Sequence, residues 1–212
     1  WNLESGDIDP DTITSQMRQF EDVHIWGLSE VFSSDAMLYE VGLENKTGLE
    51  WQSIVGTTGF GDRLVILYDA SRLNLVGSTE LMDISLGESV RAPLVAQFED
   101  NITGEMFPFG VNHLARGNEF GRHTQATQLN DWAEQQTLPI ILVGDFNFDY
   151  EVDDSYHDAG FDNLIDDGVF SWVRPDELIR TQCSADDDAA DDGIPEDQAC
   201  RYNSVLDFVF VA

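Results

Sequence analysis

The sequence predicts a strand-rich α/β domain in which two β-sheets pack face to face with helices outside. Three observations lead there. Short apolar runs such as RLVILYD and PIILVGDFNFD outnumber amphipathic helical stretches. Turn signals such as DNITGE separate neighbouring runs, which favours hairpins. The few helical stretches do not alternate with every strand, so a single parallel sheet fits less well. With 212 residues and 42% hydrophobic content the chain can bury one sizeable core, and no repeat or linker divides it, so residues 1–212 read as a single domain.

The elements follow in order. DPDTITSQMRQFED predicts an amphipathic helix capped by Asp9 or Asp11, with Ile13, Met17 and Phe20 at helical spacing. VHIWGLSEV predicts a buried strand ending at Glu30, and residues 34–42 a second helix capped by Ser34. RLVILYD is a strand. RAPLVAQFED and MFPFGVNHL predict two strands joined by a turn. Residues 122–136 predict a third helix with Ala126, Leu129 and Ala133 inward. PIILVGDFNFD and SVLDFVFVA are the last strands, and residues 150–203 between them read as one long irregular stretch.

Charge narrows the function classes. The net charge is −31, from 41 acidic and 10 basic residues. Such a surface repels polyanions at long range and opposes non-specific nucleic-acid binding at low salt. It suits high salt, where the Debye length falls to about 3 Å at 1 M, so we expect a halophilic or marine source. No apolar run reaches the length of a transmembrane segment, and no signal peptide is visible. Cys183 and Cys200 flank an acidic loop without a nearby histidine, which excludes a zinc site. A disulfide between them is favoured over free thiols, would add roughly 3 kcal/mol, and implies an extracellular or periplasmic protein. WNLESG reads as the end of a strand and SVLDFVFVA as a strand with nothing after it, so both ends look cut inside structured elements. Nothing in the sequence sets the oligomeric state.

The polar residues are informative by position. Asn2 follows Trp1, Glu30 ends IWGLSEV, Asn112 and His113 end FPFGVNHL, Asp145 and Asn147 end IILVGDFN, and Asp207 sits inside SVLDFVFV. Strand ends hold side chains rigidly yet open to solvent, where catalytic groups tend to sit. One acidic residue there is more often a turn former, and one histidine more often structural. Five such sites together are harder to dismiss. Carboxylates and amides are hard oxygen ligands suited to Mg²⁺, Mn²⁺ or Ca²⁺. A histidine and arginines beside them complete the parts for phosphoryl-oxygen chemistry. The acidic run at residues 186–197 does not follow the EF-hand spacing and reads as a solvated loop.

The ordered set WN, GLSEV, RAPL, VNHL, GDFN and SVLDFVFV resembles the endonuclease/exonuclease/phosphatase superfamily, its deoxyribonuclease-like branch most of all. The resemblance implies a four-layered α/β sandwich, two packed mixed β-sheets flanked by helices. It also implies metal-assisted hydrolysis of a phosphodiester, nucleic acid foremost, by a secreted nuclease with Mg²⁺ as cofactor. A phosphatase, a lipid phosphodiesterase or a non-catalytic binding relative are the alternatives. Residue by residue, it makes Glu30 the metal ligand with Asn2 beside it. Asp145 becomes the group that orients or deprotonates water. Asn147, Asn112, Asn2 and Arg91 are placed at the phosphate, and His113 at the phosphate or leaving oxygen, with Asp62 as its carboxylate partner. Asp207 becomes the partner of a last catalytic histidine, in an Asp-His pair some tens of residues further on, whereas this sequence ends at Ala212. Arg116 and Arg122 are expected to add positive field near the site, and Glu4 and Asp69 to be structural.

Overall fold

The computed structural model describes residues 1–6, 9–87, 90–181 and 204–212. Cys183, Cys200 and the acidic run at 186–197 lie outside the described residues. A three-stranded sheet has the order β1 (Ile25–Phe32), β3 (Asp62–Asp69), β2 (Trp51–Val55), all antiparallel. A six-stranded sheet runs β4 (Leu73–Glu80), β5 (Leu94–Asp100), β6 (Met106–His113), β7 (Ile141–Glu151), β9 (Ser204–Val211), β8 (Ser171–Trp172). Only β6 and β7 pair in parallel there, which makes this sheet mixed. In the smaller sheet the parallel element is the bridge from Asn2 to Ser29.

Helices α1 (Pro10–Met17) and α2 (Ala36–Thr47) cover the small sheet, and α3 (Glu119–Glu134) and α4 (Ala159–Ile165) the large one. That is the expected four-layer sandwich. Strand β3 shows why RLVILYD is a continuous apolar run rather than an alternating one. Val65 and Leu67 pack under the first two helices, while Leu64, Ile66 and Tyr68 pack between the sheets, so both faces are buried. Phe146, Phe148, Phe208 and Phe210 form the aromatic centre beneath α3 and α4. No helix among the described residues is long and apolar enough to cross a membrane.

Several elements depart from the sequence reading. Asp9 does cap α1, accepting from the Thr12 amide, but the helix ends at Met17. Phe20 is therefore not on its inner face; it lies half-exposed and packs edge-on against Trp1 and Trp26. Helix α2 starts at Ala36, and Ser34 donates to the Asp35 side chain instead of capping. Helix α3 begins at Glu119, capped by Asn118. Residues 150–203 are not irregular throughout, for α4 and the short β8 fall within them.

Gly144 fixes the approach of β6 to β7. Its φ is 135°, and a Cβ there would lie 2.1 Å from the Asn112 carbonyl oxygen, a backbone atom that cannot step aside. Gly144→Ala is expected to cost about 3 kcal/mol through combined strain and overpacking. Denaturant unfolding would read it as a lower midpoint at unchanged slope.

Candidate active site

Two sheets bring the polar strand ends together. On the large sheet, register sets His113, Asp145 and Asp207 side by side on three neighbouring strands, β6, β7 and β9. On β7, Phe146 and Phe148 turn toward the helices, so strand alternation turns Asp145 and Asn147 toward the small sheet. From that sheet come Glu30 on β1 and Asn2, whose flanking backbone pairs with Ser29. Glu30 sits where the β1–β3 register shifts, with φ at 60°. Asn147 is also left-handed, with φ at 54°. Side chains other than glycine hold such backbone only where surrounding contacts enforce it, and bulges of this kind re-aim a side chain.

The contacts form one network. Asn2 Nδ2 donates to Glu30 Oε1 at 3.2 Å and to Asp145 Oδ2 at 3.1 Å. The Asn147 amide donates to Asp145 Oδ1 at 2.9 Å, while its side-chain Nδ2 donates to the Leu114 carbonyl. Arg91 Nη1 lies 3.0 Å from His113 Nδ1. A guanidinium can only donate, so Nδ1 accepts and the ring proton sits on Nε2, 3.8 Å from Asp145 Oδ2. Arg91 also pairs with Asp62. Asp62, expected beside His113, thus reaches it through Arg91, and Glu30 Oε1 is the carboxylate oxygen 3.5 Å from Nδ1.

Burial and charge set the protonation of this cluster. Burial pushes Asp145 up to about 7, reinforced by the facing carboxylate of Asp207 and by Glu30 and opposed by the hydrogen bonds from Asn2 and Asn147. Burial lowers His113 to about 4, with Arg91 adding to the effect and Glu30 and Asp62 opposing it. For Asp62, burial is outweighed by the Ser5 hydroxyl and Arg91, and the net direction is down.

Not every expected residue faces the cluster. Asn112 is fully buried, alternates with His113 so that it points away from it, and donates to the Val143 carbonyl. Arg116 pairs with Asp149, and Arg122 is buried against Asp158 rather than adding free positive charge to the site. Asp69 pairs with His24, in keeping with a structural role. Ser5 was missed by the sequence reading: its Oγ lies 2.9 Å from Glu30 Oε2 and 2.7 Å from Asp62 Oδ2. A serine in SGD carries no pattern that would single it out. A separate group, Glu119, His123 and Asp158, has the spacing of metal ligands, but the Arg122 guanidinium already holds Asp158 and opposes a cation there. A groove of about 530 Å³ lined by Trp1, Trp26, Trp172 and Val209 shares only Asp207 with the cluster.

Solved structures share this two-sheet fold. An endonuclease/exonuclease/phosphatase family protein from Bacteroides thetaiotaomicron is 21% identical with a TM-score of 0.69, over 95% of this chain and 73% of that one. The chain has the endonuclease/exonuclease/phosphatase fold. A mannosyl-6-phosphatase of the same bacterium is 20% identical with a TM-score of 0.67, over 96% of this chain and 76% of that one. The same fold is seen in D. rerio TDP2 complexed with a single-strand DNA product, at 16% identity and a TM-score of 0.68, covering 100% of this chain and 81% of that one. No family model matches the chain, and no curated protein does.

Proposed function

We propose that the chain is the core of a divalent-metal-assisted phosphoester hydrolase acting on a phosphodiester, nucleic acid foremost. The observation that carries this reading is the His113–Asp145–Asp207 row, met from the other sheet by Glu30 and Asn2. The donor set suits a hard cation. Glu30, Asp62, Asp145 and Asp207 crowd together, while Arg91 is the guanidinium among them and His113 is held neutral. Glu30 would hold Mg²⁺, or Mn²⁺ in its place, with the Asn2 amide beside it. When bound, the metal would polarise a phosphate oxygen and stabilise the leaving oxygen.

The chain's own groups supply the rest. Asp145, poised near neutrality and fixed by Asn2 and the Asn147 amide, can take a proton from an attacking water. The Nε2–H of His113, 3.8 Å from Asp145 Oδ2, can donate a hydrogen bond to a phosphate oxygen while the ring stays neutral. Arg91 keeps positive charge beside that histidine, where the phosphate would develop negative charge. Asp207 Oδ1 is buried without a hydrogen-bond partner among the described residues, which leaves it an acceptor for a donor brought to the site. Export to an oxidising compartment remains part of the proposal and rests on Cys183 and Cys200.

The test is hydrolysis of plasmid DNA, bis-p-nitrophenyl phosphate and p-nitrophenyl phosphate. It would use this chain and any longer natural form that contains it, with Mg²⁺, Mn²⁺ or chelator, from low to molar salt. Metal-dependent diester cleavage that Glu30→Ala abolishes is the expected result. Preference for the monoester would move the substrate to the phosphatase class. Inactivity toward all three would sink the nuclease reading and move the choice to a lipid phosphodiester or a binding role.

A further inference from the structure

We propose that Ser5 is a positioning residue: its hydroxyl holds Glu30 for a divalent cation and links that carboxylate to the Asp62–Arg91 pair. This rests on the reading of Glu30 as a metal ligand. Ser5 Oγ is within hydrogen-bond distance of two carboxylates, Glu30 Oε2 and Asp62 Oδ2. A hydroxyl has one proton, so it can donate to only one of them. Its other contact sets lone pairs against lone pairs, an arrangement that a nearby cation relieves. Asn2 already donates to Glu30 Oε1, so amide and hydroxyl together fix both oxygens of that carboxylate. A cation held by Glu30 would offset the negative charge shared by the two carboxylates while the hydroxyl keeps Oε2 in place. Without the hydroxyl, two partly buried carboxylates would face each other with no donor between them.

The backbone supports the same conclusion. Glu4 and Ser5 both have positive φ, 49° and 54°, in a turn held by the Glu4 amide donating to Asn2 Oδ1 at 2.9 Å. Neither is glycine, so the turn keeps a conformation that costs energy while aiming a hydroxyl at the two carboxylates. A turn needed only for its shape would be better served by glycine.

That contrast gives the test. Mn²⁺ binding to the 212-residue chain would be measured by titration calorimetry for the unmodified protein, Ser5→Ala, Ser5→Gly and Glu30→Gln. Outer partners of metal ligands typically contribute about 10- to 100-fold in affinity. Ser5→Ala and Ser5→Gly are both expected to weaken Mn²⁺ binding about tenfold, the glycine variant even though it relaxes the turn. If Ser5→Gly bound Mn²⁺ as the parent does, the role would be turn geometry and the proposal would fall. It would also fall, with the metal reading intact, if both Ser5 variants bound normally while Glu30→Gln did not. No Mn²⁺ binding by the parent would overturn both.

Discussion

Replacing Asp145 with asparagine is expected to lower phosphodiester hydrolysis about a thousandfold, the usual scale of a lost acid or base. The same change should raise the thermal midpoint of the metal-free protein at about pH 8. The two effects have one cause. Asp145 is buried opposite Asp207 and near Glu30, which raises its proton affinity until it titrates at about 7. An unfolded aspartate titrates near 3.9, so the folded state holds its proton more tightly than the unfolded one. The unfavourable contribution is absent below about pH 4, grows as pH rises through the window between the two values, and is fully present above about 7. Asparagine removes that charge permanently. It also turns an amide toward donors, since Asn2 Nδ2 and the Asn147 amide both give hydrogen bonds to the present carboxylate, so the gain is less than the full charge penalty. Thermal melts in chelator at about pH 5 and 8 would check this, with the advantage of asparagine growing with pH. A variant that lost activity and was equally destabilised at both pH values would show Asp145 to be a structural acceptor instead.

How much of this was legible in sequence depends on where a residue's partners lie. GDFNFD could be read because strand alternation places Asp145 and Asn147 on one face, and Phe146 and Phe148 on the other. Glu30 and His113 were legible as polar ends of apolar runs. Their meeting was not, because contacts such as Asn2 to Asp145 span 143 positions and cross from one sheet to the other. The edge strands β2 and β4 escaped for a different reason. LNLVGSTE buries only Leu73 well and leaves most of its side chains in water, so no apolar alternation marks it. Helix α4 has seven residues, too few for a periodic signal, although Asp158 as cap with Phe161 and Leu164 inward gives a faint one. Asn112 and Arg122 show the limit of reading polarity as exposure. Both side chains are polar, and both are engaged by backbone carbonyls or an ion pair inside the protein.

Arg122 therefore carries the largest stability prediction. Its side chain is buried and donates to the Ala115 and Arg116 carbonyls and to Asp158 Oδ2. Asp158 in turn caps α4 through the Gly160 amide and accepts from His123. One guanidinium thus ties together the loop leaving β6, helix α3 and the start of α4. Arg122→Met keeps the volume but leaves a buried carboxylate with only part of its support, and should cost about 3–5 kcal/mol, a large share of a domain's total stability. The pH dependence identifies the cause. In the parent protein, burial raises Asp158, but Arg122, the Gly160 amide and His123 outweigh it, so its pKa is depressed and its stabilising contribution is lost as pH falls below about 4. Without Arg122 the burial effect gains ground, and protonation relieves rather than removes stability. The gap between parent and variant should therefore narrow as pH falls from about 6 to about 3. Arg122→Met combined with Asp158→Asn should recover much of the loss, because it removes the stranded charge and keeps a side chain able to cap α4. A double variant no more stable than the single one, with a gap independent of pH, would mean that the two carbonyl contacts, and not the ion pair, are what Arg122 contributes.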